Sequence, residues 1–304
     1  LKGFAIPSII AMLVSSLYNI VDQIFIGQGV GYLGNAATNV AYPLTTVCLA
    51  IALLIGIGSA SRFSLYLGAG ETDKAEKVVG TGISMMAVSG ILYAVLVEIF
   101  MNPLLTAFGA TEQVMPYAVT YSRIVALGMP FLIVTNGMSN LARADGSPRY
   151  SMTCMLIGAV INTILDPLFI FVFHLGVAGA AWATIIGQFF SFIFAVLYIK
   201  KFKNIRLKKT DFCLQLKECA QTAYLGMSNS LNQVAITFVQ IVLNNSLTYY
   251  GSLSEYGKEI PLAACGIVMK TNAILLAFII GISQGAQPII GFNYGARQYD
   301  RVKK

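Results

Sequence analysis

Charge is what this sequence has least of. Only 11% of its 304 residues are Asp, Glu, Lys or Arg, against 57% hydrophobic residues, where a soluble domain carries roughly 25% charged residues. So little charge cannot cover a globular surface in water. The same numbers exclude a disordered chain and a nucleic-acid-binding domain. Histidine is represented by His174 alone, which excludes a His-rich metal site. The five cysteines (Cys48, Cys154, Cys213, Cys219, Cys265) form no CxxC pair. Their odd number and irregular spacing exclude a disulfide framework. No HExxH, P-loop or GxSxG motif is present, so no enzyme chemistry and no cofactor is expected. No cleavable signal peptide is visible.

What the chain has instead is long apolar runs. A membrane-spanning helix needs about 20 mostly apolar residues, and mean hydropathy is +0.73. Eight runs qualify, near 3–27, 38–67, 79–101, 119–142, 150–173, 176–200, 221–247 and 262–290. The expected fold is all-α and integral to the lipid bilayer. The chain opens at Leu1 nearly inside the first run and closes at Lys304 inside a polar stretch, so it reads as a piece of a longer protein.

The net charge of +7 is confined to one side of that membrane. The N-terminus and the loops after spans two, four, six and eight hold sixteen of the twenty Lys and Arg, and the opposite loops hold only Lys258. The positive-inside rule then places the N-terminus and a basic 201–220 linker in the cytoplasm, with spans one to six (1–200) before the linker and an incomplete second set (221–304) after it. Arg62, at a helix end, is expected to snorkel. Glu98 and Arg123 are expected near the outer ends of spans three and four, facing water or each other.

An internal repeat supports this division. At an offset of 227, Gly58, Gly68, Ala69, Asp73 and Lys77 meet Gly285, Gly295, Ala296, Asp300 and Lys304. Both copies lie at the cytoplasmic end of the second helix of a unit. A unit is therefore six helices long, and the copies share one orientation, as in parallel-repeat transporters.

Ionisable residues inside a bilayer are costly and mark function. Asp22 lies late in span one. Asn162 and Asp166 in span five are four apart and share a helix face, and Pro167 loosens the backbone bond one turn back. Span six adds Thr184 and, on the same face, Gln188. Asp166 is about 24 Å from the cytoplasmic start of its span, and Thr184 about 12 Å from the outer start of its own, at 1.5 Å per residue. Three helices thus bring two carboxylates, an amide and a hydroxyl to overlapping depths. Such hard oxygen donors can exchange a proton or hold Na⁺. Tyr18, Asn19, Asn136, Gln188, Gln233 and Lys270 are the candidate lining of a substrate cavity.

In this order and at these depths the motifs resemble those of the MATE (multidrug and toxic compound extrusion) transporters. The resemblance rests on Val21-Asp22, Gly68-Ala69-Gly70 with Asp73, Gly146, Asn162-xxx-Asp166-Pro167, Gly179 to Thr184, and Gln287-Pro288 to Gly295-Ala296. It implies twelve helices in two six-helix lobes around a central cavity, of which the chain holds the N-terminal two thirds. It also implies a monomer in a bacterial inner membrane, exporting cationic, amphipathic drugs in exchange for H⁺ or Na⁺. Asp22, Asn162, Asp166 and Thr184 would form the cation site. One departure is that span seven offers Asn229, Asn232, Gln233 and Gln240 but no carboxylate. A lipid-linked oligosaccharide flippase of the same superfamily is the alternative, and the scarcity of intramembrane cations speaks against it. An enzyme would need a catalytic motif near an interface, and a purely structural bundle has no use for clustered carboxylates.

Overall fold

A computed structural model describes residues 2–110, 112–255 and 259–303. Eight long helices follow the eight apolar runs: α1 (Lys2–Gly29), α2 (Tyr32–Gly68), α3 (Thr72–Ile99), α5 (Met115–Ala144), α6 (Pro148–Pro167), α7 (Gly176–Leu197), α8 (Leu216–Ser252) and α9 (Glu259–Gly295). The short α4 (Met101–Ala107) starts at the last residue of the third run, and α10 (Tyr299–Lys303) lies beyond the eighth. No strand occurs among the described residues. Among the described residues, seven helical segments are long and apolar enough to cross a membrane. The exception, α8, has 37 residues, ample length for a crossing at 1.5 Å per residue, but Asn229, Asn232 and Gln233 interrupt its apolar run.

The core lies between α2, α3, α5 and α7, filled by fully buried Phe63, Met86, Ile133, Met138 and Leu141. The perimeter is equally apolar. Leu92 and Ile99 on α3, Phe190 and Leu197 on α7, and Leu231 and Phe238 on α8 are exposed. An apolar belt of this extent is stable only against lipid.

Tight turns separate the helices. After α2 the Gly70 N–H bonds Leu67 O and the Glu71 N–H bonds Tyr66 O, with Gly70 at φ 76. The pattern returns after α5, at Gly146, and after α9, where Arg297 takes the position at φ 56. Arg297 is the counterpart of Gly70 at the offset of 227, so the repeat extends to backbone conformation where side-chain identity is lost.

The same offset governs packing. A Cβ at Gly68 would strike the Phe292 carbonyl, and one at Gly295 would strike the Leu65 carbonyl. The two contacts exchange partners under a shift of 227 residues, as expected for helices crossing on a local two-fold axis. Further along, α2 meets α8 through Gly58 and Thr222, and α9 meets α1 through Gly285 and Ala5.

Polar links reinforce this seam. Arg62, expected to snorkel, is instead buried (4% exposed) and pairs with Glu218 Oε2 at 2.5 Å. It also donates to Gln221 Oε1 at 2.7 Å and Thr222 Oγ1 at 3.3 Å. The reason is the arrival of α8, which covers that face of α2 and supplies a carboxylate. Arg143, in the last turn of α5, is buried and donates to Gln284 on α9 and to Asn140. Gln287 Nε2 donates to Ser61 Oγ at 2.8 Å. Arg123 and Glu98 form a loose, largely exposed pair at 4.0 Å.

The connector between α7 and α8 is laid onto the bundle. Buried Asp145 accepts from Tyr198 Oη (2.7 Å), the Lys203 N–H (2.7 Å) and Asn204 Nδ2 (2.9 Å). Ser84 donates to Phe212 O at 2.7 Å. Helix α8 begins at Leu216, so the last residues of the predicted linker, 216–220, are already helical.

Candidate functional site

Small residues set the site's geometry. A Cβ at Gly158 on α6 would press on Ser191 Oγ and Gly187 O, and one at Gly187 on α7 would press on Gly158 O. Two facing glycines let the α6 and α7 backbones touch. Ser191 Oγ donates to Cys154 O at 2.8 Å and pins the same crossing. Thr184, one turn before Gln188 on α7, is thereby delivered to Asn162.

Pro167 ends α6, and the chain continues as a π-helical turn, Leu168–Val172. Proline has no N–H to offer the carbonyl one turn back, and the wider turn accommodates that loss. Ile170 from this turn, Ile26 from α1 and Ala180 from α7 form a buried cluster. Phe25 packs edge-on to Phe171, with ring centroids 6.2 Å apart. These contacts dock the end of α1 one turn from Asp22 and turn that carboxyl toward α6.

The four predicted donors come together. Asn162 Nδ2 donates to Asp166 Oδ1 at 3.2 Å and to Thr184 Oγ1 at 3.3 Å. Asp166 is 0% exposed and Asn162 3%. The Asp22 and Asp166 carboxyls lie within hydrogen-bonding reach of each other. Asp22 Oδ1, Asn162 Oδ1, Asp166 Oδ2 and Gln188 Oε1 are buried with no hydrogen-bond partner. Buried polar atoms are normally satisfied, so an acceptor-rich group of this kind is built to receive a donor or a cation. Among the described residues no cluster of three His, Cys, Asp or Glu is found; the site has two carboxylates, and amide and hydroxyl oxygens complete it.

The predicted cavity residues divide. Tyr18 is half-buried, within electrostatic reach of both carboxyls. Gln188 is half-buried and lies against Gly128 of α5. Asn19 is exposed and its amide donates to Ser15 O, and Asn136 is likewise tied to Leu132 O of its own helix. Gln233 sits half-buried on α8, which packs on α2, α3 and α9 rather than bringing it to the carboxyl pair. Lys270 lies outside the residues whose side chains are described, as do Lys258 and Lys304. Tyr121 on α5 joins the group unforeseen, in electrostatic reach of Asp22, Asp166 and Tyr18. The signal for it was depth. Tyr121 is six residues into α5, about 9 Å along the axis, close to the level reached by Thr184.

Two pockets open elsewhere, at the end of the bundle bearing the basic loops. One, of about 460 Å³, lies between α2 and α8 beside Arg62 and Tyr224. The other, of about 570 Å³, lies between the starts of α1 and α6.

Comparison with known proteins identifies the family. The MatE family model matches residues 7–168 and 231–304. The chain is 29% identical, over 99% of its length, to the multidrug export protein MepA of Staphylococcus haemolyticus strain JCSC1435, of which it covers 66%. It is 27% identical over 97% of its length to MepA of Staphylococcus aureus strain NCTC 8325, of which it covers 64%. It thus spans just under two thirds of these relatives. Among solved structures, an outward-facing multidrug resistance MATE transporter superposes at a TM-score of 0.89 with 24% identity, over 99% of this chain and 65% of that one. A MATE crystal structure in complex with MaL6 superposes at 0.90, also with 24% identity and over 99% and 66%. With its all-helical membrane fold and the family match over most of its length, the chain belongs to the MatE family of membrane transporters.

Proposed function

We propose that the intact protein is a secondary antiporter that exports organic, cationic or amphipathic compounds in exchange for H⁺ or Na⁺. The observation that carries this reading is the Asp22–Asp166 pair inside a membrane bundle, each carboxyl keeping one buried oxygen without a hydrogen-bond partner. Two neighbouring carboxylates, Asp166 wholly buried and Asp22 half-buried, repel strongly, and the arrangement is stable only when a positive charge sits between them. H⁺, Na⁺ and an organic cation can each supply it. They therefore compete, and competition for one site is the physical basis of exchange.

In this reading the N-terminus and the basic loops are cytoplasmic in a bacterial inner membrane. Residues 1–200 form one lobe, 201–220 the linker and 221–304 the beginning of the second. A coupling ion entering from outside binds Asp22, Asn162, Asp166 and Thr184. It draws α1 onto α6 and closes the face that Tyr18, Tyr121 and Gln188 offer to substrate. The drug leaves outward, the lobes rock, and the ion leaves inward. The name of the MepA relatives, multidrug export protein, supports export of drugs.

The test is efflux of a fluorescent organic cation from proteoliposomes of the full-length protein, under a Na⁺ gradient and then a pH gradient. One of the two gradients is expected to drive efflux in the wild type, and Asp166→Asn is expected to lose it. Full gradient-driven efflux by a well-incorporated Asp166→Asn would overturn the assignment.

A further inference from the structure

The pocket of about 570 Å³ between the starts of α1 and α6 plays no part in the exchange described above. Its walls are Phe4 of α1, Tyr150 and Thr153 of α6, the Gly146–Arg149 turn, and Lys203 of the connector. Arg149 and Lys203 are exposed at its rim. A third cation stands alongside, with Lys201 Nζ 5.5 Å from the centroid of the Tyr150 ring. Lys203 Nζ gives one hydrogen bond, to Gly146 O at 3.3 Å, and an ammonium has three to give.

No acidic side chain lines the pocket. The nearest in sequence, Asp145, is 0% exposed, and its carboxylate is taken up by Tyr198, the Lys203 N–H and Asn204. The pocket is therefore a concave, cationic surface with an aromatic floor. It also sits at a defined level. Helix α6 begins here, at Pro148, and runs on as a membrane-crossing segment, so the pocket is at the depth of the lipid phosphates.

We propose that this pocket binds the phosphate group of an anionic phospholipid headgroup, held by Arg149 and Lys203 with the glycerol end against Phe4 and Tyr150. Basic pockets between membrane helices take such headgroups, and each cation near the surface adds to the attraction. The site has a mechanical consequence. Helix α1 carries Asp22 and α6 carries Asp166, so a lipid bridging Phe4 and Arg149 ties together the two helices that hold the carboxyl pair. The binding itself does not depend on the antiporter reading.

The full-length protein in detergent, with phosphatidylglycerol, phosphatidylcholine or inorganic phosphate added, separates the sources of the ligand. Native mass spectrometry counts retained lipid, and a thermal melt reads stabilisation. The wild type is expected to retain phosphatidylglycerol over phosphatidylcholine and to gain nothing from inorganic phosphate. Arg149→Gln with Lys203→Gln should weaken phosphatidylglycerol retention roughly tenfold or more. The charge-preserving Arg149→Lys with Lys203→Arg should keep it, as should Lys74→Gln with Lys77→Gln, which removes two cations from a different turn. Equal retention of the two lipids by the wild type would overturn the proposal without recourse to any variant. So would undiminished phosphatidylglycerol retention in the double Gln variant, or stabilisation by inorganic phosphate alone.

Discussion

At the scale of single residues, the molecule places its costs where they serve a purpose. Asp166 is wholly buried and Asp22 adjoins it, an arrangement with no structural benefit in lipid. Arg297 carries a smaller cost. It holds the left-handed conformation that Gly70 adopts in the first copy of the turn, and that region costs an L-residue about 1–2 kcal/mol. Arg297→Gly is therefore expected to stabilise the protein by about 1 kcal/mol after the added freedom of the unfolded chain is counted. The measure is a rise in Tm of the purified protein. A fall would show that the Arg297 side chain stabilises more than its backbone costs.

Residues were also the scale most legible in the sequence. Asn162, Asp166 and Thr184 follow from helical spacing, and depth counting links them to Asp22, because a bilayer fixes the vertical coordinate that a soluble protein leaves free. What sequence could not supply was lateral placement. Arg62 reads as a snorkelling cation in sequence because nothing local to α2 says that Glu218, more than 150 positions later, will cover it. Asn19 and Asn136 look like cavity polar groups in sequence, yet both amides satisfy their own helix backbones. Tyr121 does not stand out in sequence because aromatics near helix ends are common in membrane proteins and carry little signal alone.

At the scale of elements, the site depends on how closely α6 and α7 approach. Gly158 and Gly187 allow backbone contact there, the arrangement by which small residues bring membrane helices together. Gly187→Leu would push α7 away from Asn162 and break the bond from Asn162 to Thr184. The expected result is loss of ion-dependent stabilisation in a thermal melt, with the protein still helical by circular dichroism. Retention of the wild-type ion response would contradict the role given to this crossing. Helix positions were readable from apolar runs alone, since lipid demands them. The seven-residue α4 and the π turn after Pro167 were not, because neither is long enough to leave a periodic pattern.

For the molecule as a whole, the repeat is the organising fact. One of the five identities, Gly68 with Gly295, becomes a pair of reciprocal contacts in space: Gly68 on Phe292, and Gly295 on Leu65. The seam they form is locked by Arg62 with Glu218 and by Arg143 with Gln284. If the lobes rock, this seam must open. Removing one partner of a buried ion pair costs about 3–5 kcal/mol, so Glu218→Gln is expected to loosen it. Cys219, partly buried beside Glu218, is a natural reporter once the exposed Cys213 and the partly buried Cys265 are replaced. Its labelling by a polar maleimide should be faster in Glu218→Gln than in the parent. An unchanged rate would mean that the pair does not hold the seam closed.

The central claim is that one positive charge at the Asp22–Asp166 pair is exchanged for another. The most direct measurement adds an organic cation to the purified full-length protein in weakly buffered solution and follows the ion released, with a pH indicator for H⁺ and a selective electrode for Na⁺. The account predicts release of one of these ions from the wild type, saturating with drug binding, and none from Asp166→Asn. Drug binding without release of either ion, or equal release from Asp166→Asn, would contradict it.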